Sequence, residues 1–153
     1  MARRSTVERR EGKYPDTEVF KYYNANPKNN FVGDCVARAI SKATGNSWEC
    51  VIRDMTEYGI KHGTTFNDKK NIRSYLKSLG WVKHSEPRDR NNKKVIAKDF
   101  LKDNHIRKAI ANVGSHHIVA IEDGKIVDTW NSSYETIHSY WTPPVSDQKV
   151  FYY

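Results

Sequence analysis

Two apolar runs separated by Asp123 and Gly124 constrain this chain more than any other feature. The runs occupy residues 115–121 and 125–130. An Asp-Gly pair between such runs is the strongest local signal for a two-residue β-hairpin, because both turn positions require a positive φ angle. The residues that flank the turn then face each other, and the register of both strands is predicted.

This register places a histidine and a carboxylate side by side. Side chains alternate between the two faces of a strand, so His117, Asp128 and Trp130 share one face while His116 points the other way. Asp128 is the diagonal neighbour of His117, close enough for a carboxylate to orient an imidazole. Asn131, one residue further on, is predicted to point to the opposite face. A surface histidine beside an aspartate is also common in hairpins.

The second informative stretch is residues 32–40. Gly33 is a turn residue and Asp34 a helix-capping residue, and the positions after them are apolar at helical spacing. Cys35 is therefore predicted to lie in the first turn of a helix. There, unpaired N–H groups and the positive end of the helix dipole favour a thiolate, which is the condition for a nucleophilic cysteine. A small buried hydrophobe is the commoner role of a free cysteine.

Further helices are predicted around this one. The Cys35 helix ends at Gly45, and a second helix follows Asn46, which forms a capping-box pattern with Glu49, and ends at Gly59. Cys50 is predicted to be a packing residue of that second helix. Additional helices are predicted at 67–79, where Gly80 is the stop, and at 97–102, and additional strands at 106–113, 134–141 and 149–153. Helices precede antiparallel strands, which predicts an α+β domain with its helices on one side of the sheet.

Length and charge bound the class of protein. A chain of 153 residues fits one domain with a real core. Residues 1–18 are polar and aperiodic, so we expect a flexible basic N-terminal arm followed by a domain over 19–153. Lysines and arginines exceed acidic residues by 26 to 18, a formal charge of +8. Such charge attracts nucleic acid or acidic protein surfaces, and is equally compatible with a solubilising surface.

The cellular compartment is predicted from two features that the sequence lacks, a membrane span and a secretory signal. No apolar segment approaches the roughly 18 residues that would indicate a membrane span. No apolar run follows the N-terminal arginines, so no secretory signal is indicated. With two cysteines, a reducing cytoplasm and free thiols are expected.

The order Cys, His, Asp, with helices first and a sheet behind them, resembles the papain-like cysteine peptidase superfamily. Two motifs carry the resemblance. Residues 23–27 (Tyr-Asn-Ala-Asn-Pro) lead to 33–40 (Gly-Asp-Cys-Val-Ala-Arg-Ala-Ile), and residues 117–120 (His-Ile-Val-Ala) lead through the Asp-Gly turn to 128–130 (Asp-Thr-Trp). They are most similar to small phage-encoded members, and the resemblance covers about residues 22–141.

This resemblance implies a papain-like fold and a cysteine hydrolase of the peptidase, amidase or deconjugase type. Cys35 would be the nucleophile, His117 the general base and acid, and Asp128 the group that orients His117. No cofactor or metal is implied. The substrate would be a peptide or protein, including a host protein met in the host cytoplasm, and acyl transfer to an amine would use the same residues.

The oxyanion hole departs from the family pattern. Papain-like enzymes usually carry a glutamine six residues before the nucleophile, and this chain has Asn29 there. The amide of another nearby asparagine, with the Cys35 backbone N–H, would serve instead; Asn26 is favoured among the candidates Asn24, Asn26, Asn29 and Asn30. The alternative is a catalytically inactive basic module that modulates a host protein or nucleic acid, which the charge, the basic arm and the missing glutamine favour.

Overall fold

The computed structural model describes residues 6–104 and 106–144. These residues form a mixed α+β structure with five helices and six strands. The helices are α1 (Thr6–Lys13), α2 (Cys35–Thr44), α3 (Trp48–His62), α4 (Lys69–Ser78) and α5 (Ala97–Asn104). The strands are β1 (Phe20–Tyr22), β2 (Val82–His84), β3 (Lys108–Val113), β4 (His117–Glu122), β5 (Lys125–Asp128) and β6 (Ile137–Thr142).

The strands form one sheet in the order β1-β5-β4-β3-β6-β2. All neighbours are antiparallel except β1, which runs parallel to β5. The expectation of a purely antiparallel sheet is therefore wrong at this edge. The parallel pair is possible because the connection from β1 to β5 is long: helices α2 to α5 and strands β2, β3 and β4 lie between them in the chain.

The β4–β5 hairpin has the predicted register. Glu122 faces Lys125 and Ala120 faces Val127. Asp123 has a φ of 54° and Gly124 a φ of 75°, as a two-residue turn of this kind requires. Strand β5 is shorter than predicted and ends at Asp128.

Apolar side chains pack on both faces of the sheet. Helices α2, α3 and α4 cover one face, against Ile110, Ile118 and Ala120. Helix α5 covers the other, against alternate residues of the same strands such as Ala111 and Val119. The prediction that the helices lie on one side is therefore wrong. The central strands β3 and β4 are almost continuously apolar, a pattern typical of strands buried on both faces.

Two helix ends differ from their predictions. The N-cap of α3 is Ser47 rather than Asn46, and its hydroxyl accepts a hydrogen bond from the Cys50 N–H. The same helix does not stop at Gly59 but continues to His62, and Gly63 is its C-cap. A glycine is required at position 59 for a different reason: a Cβ there would lie 2.6 Å from the Thr64 carbonyl oxygen. The stops at Gly45 and Gly80 are as predicted, and both residues have a positive φ.

The segment expected to be a flexible arm contains helix α1. Its last turn places the Arg10 guanidinium over the Phe31 ring, 4.7 Å from the centroid, and Tyr14 packs against the core that α5 covers. The strand predicted at 149–153 lies outside the described residues. None of the helices described is long and apolar enough to cross a membrane.

Candidate active site

Cys35 is the first residue of α2, as predicted, and is half-buried. The preceding Asp34 occupies the N-cap position, but its side chain makes no capping hydrogen bond. Asp34 is therefore the N-cap residue by position, as predicted, but its carboxylate does not cap the helix. Its carboxylate turns to other donors, so no Asp34 cap competes for the first-turn N–H groups beside the sulfur.

His117 begins β4 and lies between Cys35 and Asp128. Its Nε2 is 2.6 Å from Oδ2 of Asp128. Since Nε2 is bound to the carboxylate, Nδ1 is the ring nitrogen that remains available to Cys35, which lines the same cleft as His117. Trp130 packs beside the imidazole, with ring centroids 4.8 Å apart. The three residues of the predicted Cys-His-Asp set are thus brought together in that order.

The environment favours a thiolate at Cys35. Burial acts to raise the pKa of its thiol, but hydrogen bonds from the His117 ring and the Ile118 backbone N–H, with the charges of His117 and Arg38, outweigh burial. The net effect is a lowered pKa for Cys35. Donors and positive charges near a sulfur stabilise its anion.

The same contacts favour a protonated His117. Burial acts to lower its pKa, whereas the hydrogen bonds and charges of Asp128 and Cys35 raise it to about 9. A lowered pKa on Cys35 and a raised one on His117 both favour the thiolate–imidazolium form of the pair over its neutral form. The two groups are coupled, so the proton belongs to the pair rather than to either residue.

Arg38, one turn after Cys35 on α2, is the functional residue that the sequence analysis missed. Its guanidinium contacts Oδ1 of Asp128 through Nη1, and Nε lies 2.9 Å from Oδ1 of Asp34. Nη1 also donates to the Thr129 hydroxyl at 3.2 Å. Desolvation acts to lower the pKa of Arg38, but the two carboxylates more than compensate and raise it.

This arginine connects the two elements that carry the site. Its side chain is 11% exposed, and those of Asp34 and Asp128 are 4% exposed. Asp128 therefore divides its oxygens, one to His117 and one to Arg38. The signal that would have found Arg38 is its position: a charge among otherwise buried residues of α2, four residues after an aspartate.

Asp34 is the acceptor for three separate elements. Oδ2 accepts hydrogen bonds from Nε1 of Trp48 at 3.0 Å and from Nδ2 of Asn26 at 3.1 Å, while Oδ1 accepts one from Nε of Arg38. Trp48 begins α3 and Asn26 lies in the loop that leads to α2. These contacts hold the loop and two helices around the start of the Cys35 helix.

The four asparagines differ in where their amides are placed. The Asn26 amide donates to Asp34, and its oxygen accepts from the Lys28 N–H at 2.9 Å. The Asn24 amide donates to the Asn30 carbonyl at 3.2 Å. Asn29 is exposed and has a φ of 54°. Asn30 lines the cleft that contains Cys35. With Asn26 buried and engaged by Asp34, Asn30 is the asparagine placed to contact a ligand there.

The cleft beside the sulfur has a volume of about 270 Å³. Besides Cys35 and His117, its walls include Phe31, Val32 and Trp130. A larger hollow of about 380 Å³, around the start of α3, includes none of the three predicted catalytic residues. The smaller cleft is the candidate site, because both Cys35 and His117 line it.

The second cysteine occupies a different environment. Cys50 lies in the first turn of α3 and is exposed, with its sulfur 3.8 Å from Oδ2 of Asp54. The prediction that it is a packing residue is therefore wrong: the apolar side of α3 falls on Val51 and Met55. In the part of the chain that the structure describes, no three His, Cys, Asp or Glu side chains are grouped to hold a metal ion.

Comparison with protein-family models, with curated proteins and with solved structures gives no match to this chain. The described site consists of a half-buried thiol at a helix start, an imidazole on the same cleft, and a buried carboxylate hydrogen-bonded to the imidazole.

Proposed function

We propose that this protein is a papain-like cysteine hydrolase acting on an amide, isopeptide or thioester bond through an acyl-thioenzyme. The observation that carries the proposal is that Cys35 and His117 line one cleft, with His117 hydrogen-bonded to the buried carboxylate of Asp128. A nucleophile, a base and a group that orients the base are the parts that acyl transfer by a thiol requires.

The first half of the reaction forms the acyl-thioenzyme. The Cys35 thiolate attacks the carbonyl carbon, and a carbon–sulfur bond forms. Protonated His117 donates its proton from Nδ1 to the departing amine as the carbon–nitrogen bond breaks. Asp128, fixed by Arg38, keeps Nε2 of the ring engaged throughout. The Cys35 N–H at the start of α2, with the Asn30 side chain that lines the cleft, would stabilise the oxyanion.

The second half releases the acyl group. His117, now neutral, takes a proton from a water molecule as the water oxygen attacks the thioester carbon. The carbon–sulfur bond breaks, the acid leaves, and the thiolate–imidazolium pair is restored. An amine in place of water gives acyl transfer with the same proton movements.

The test compares the two thiols of the chain. Cys35 is measured in the Cys50→Ala variant and Cys50 in the Cys35→Ala variant, each with iodoacetamide at pH 7. We expect Cys35 to react at least ten times faster, because its lowered pKa gives it the larger thiolate fraction at this pH. His117→Ala, in the Cys50→Ala background, should remove most of that advantage. Equal rates for Cys35 and Cys50 would contradict the proposal.

Turnover needs a separate measurement. p-Nitrophenyl acetate is a generic acyl donor, and one equivalent of p-nitrophenol should be released rapidly as Cys35 is acetylated. Mass spectrometry should then show the acetyl group on Cys35 and its loss with time.

The inactive binding module is the second proposal, and one observation favours it: the amides of Asn24 and Asn26 are engaged within the protein. A site that acetylates but does not release the acetyl group would support that alternative over a hydrolase.

A further inference from the structure

The cleft beside Cys35 carries a charge asymmetry that the proposed chemistry does not use. Arg10, Arg38 and His117 line it, and none of the described side chains that line it is acidic. The two carboxylates that contact Arg38, those of Asp34 and Asp128, are almost fully buried. A ligand in the cleft therefore meets cationic groups without an acidic side chain among them.

The two arginines differ in how much of their charge is compensated. Arg38 is bound to two carboxylates, Asp34 and Asp128. The Arg10 guanidinium stacks over Phe31, and among the described side chains it makes no ion pair. Stacking on a ring leaves the N–H groups at the edge of a guanidinium free to donate. Arg10 is therefore the uncompensated cation of the cleft.

We propose that Arg10 binds a carboxylate of the substrate, so that the enzyme acts on acyl groups or peptides with an acidic group close to the scissile bond. This rests on the proposed function of Cys35. A guanidinium and a carboxylate form a bidentate, charge-assisted pair, which selects geometry as well as charge. Val32, which is 56% exposed, and Trp130 offer apolar surface in the same cleft. The acidic group would accordingly be flanked by an apolar one.

Two alkylating reagents test the charge without a known substrate. Iodoacetate and iodoacetamide undergo the same reaction with a thiolate: a carbon–sulfur bond forms and iodide leaves. They differ by one negative charge, so the ratio of their rate constants reports the potential near Cys35. The protein is the full chain with Cys50→Ala, and glutathione provides the reference ratio.

We expect Arg10→Gln to lower the ratio of the iodoacetate to the iodoacetamide rate constant by roughly 3- to 10-fold. This is the size expected for the interaction between two unit charges in a partly solvent-exposed site. Lys13→Gln is the matched control. It removes the same charge from the same helix, but Lys13 lies over Tyr14 and does not line the cleft. Its ratio should stay within 1.5-fold of the parent protein. Raising the salt to 0.5 M should reduce the effect of Arg10.

A protection experiment then identifies the source of the carboxylate: two peptides are compared for how strongly each slows the reaction of Cys35 with iodoacetamide. One peptide carries an internal glutamate and an amidated C-terminus, and the other has a glutamine and a free C-terminal carboxylate. Stronger protection by the first assigns an acidic side chain, and stronger protection by the second assigns a terminal carboxylate. Either preference should be lost in Arg10→Gln.

An unchanged ratio in Arg10→Gln, or an equal fall in Lys13→Gln, would overturn the assignment of Arg10. This failure is distinct from failure of the proposed function. If Cys35 reacted no faster than Cys50 with iodoacetamide, the hydrolase would be contradicted, and the ratio would still be measured at pH 9.5, where more of the thiol is ionised.

Discussion

Replacing Asp128 with asparagine removes one charge and reverses one hydrogen bond at nearly constant volume. The amide oxygen must face Arg38, because a guanidinium only donates. The amide NH₂ then faces Nε2 of His117 and donates to it. A neutral ring in that arrangement carries its proton on Nδ1, the nitrogen nearest Cys35, and cannot accept the thiol proton.

The structure bounds the size of the effect. The pKa of His117 is raised from an ordinary 6.5 to about 9, a difference that corresponds to roughly 3 kcal/mol. Burial opposes that shift, so Asp128 and Cys35 together supply all of it. We expect Asp128→Asn to lower the His117 pKa by roughly 1 to 2 and to raise that of Cys35. Alkylation of Cys35 at pH 7 should slow by roughly 10- to 100-fold.

The assay is the rate of iodoacetamide labelling of Cys35 from pH 5 to 10, in the Cys50→Ala background, with the His117 ring resonances followed in parallel. Asn131→Ala is the control, because Oδ1 of Asn131 accepts from the Ser133 N–H rather than contacting His117. It should leave both titrations unchanged. An unchanged pH profile in Asp128→Asn, or equal losses in the two variants, would refute the assignment of Asp128.

Three further predictions concern stability. Arg38→Met should lower the free energy of unfolding by about 3 to 5 kcal/mol in urea, because it strands two buried carboxylates, and Arg38→Lys should recover only part of the loss. Gly59→Ala should cost about 1 to 3 kcal/mol and lower the Tm, since its Cβ would lie 2.6 Å from a backbone oxygen. In Cys35→Ala, the raised pKa of His117 should stabilise the fold fully below about pH 6.5, and that stabilisation should be lost as the pH rises through the folded-state pKa. Adding Asp128→Asn should flatten this pH profile.

The parts of the site that the sequence predicted depend on local signals. The Asp123-Gly124 turn determines which residues of β4 and β5 face each other, and it therefore brings His117 near Asp128. A turn residue before an apolar helical pattern similarly predicts Cys35 at a helix start. Each inference needs only a few neighbouring residues, because turn chemistry and helical periodicity are local properties.

The parts that were missed depend on contacts between distant segments. Strand β1 has three residues and pairs with β5, where Phe20 faces Ile126. Three residues are too few to show a period. Arg38 is matched to Asp128, which is 90 residues away in the chain. The spacing of four residues between Asp34 and Arg38 is visible in the sequence, but the pairing of Arg38 with Asp128 is not.

Asp34 and Asn26 show how tertiary contacts override a local prediction. Local propensity makes Asp34 a helix cap, but a carboxylate bonded to Arg38, Asn26 and Trp48 is committed to three charged or polar donors instead of one backbone N–H. Charge-assisted bonds to a buried carboxylate are stronger than a neutral cap. The amide predicted to serve the oxyanion hole is thereby used to hold Asp34, and the uncapped N–H groups at the start of α2 lie next to the nucleophile. Backbone donors at Cys35, rather than the Asn26 side chain, are accordingly the groups that this packing provides for a developing oxyanion.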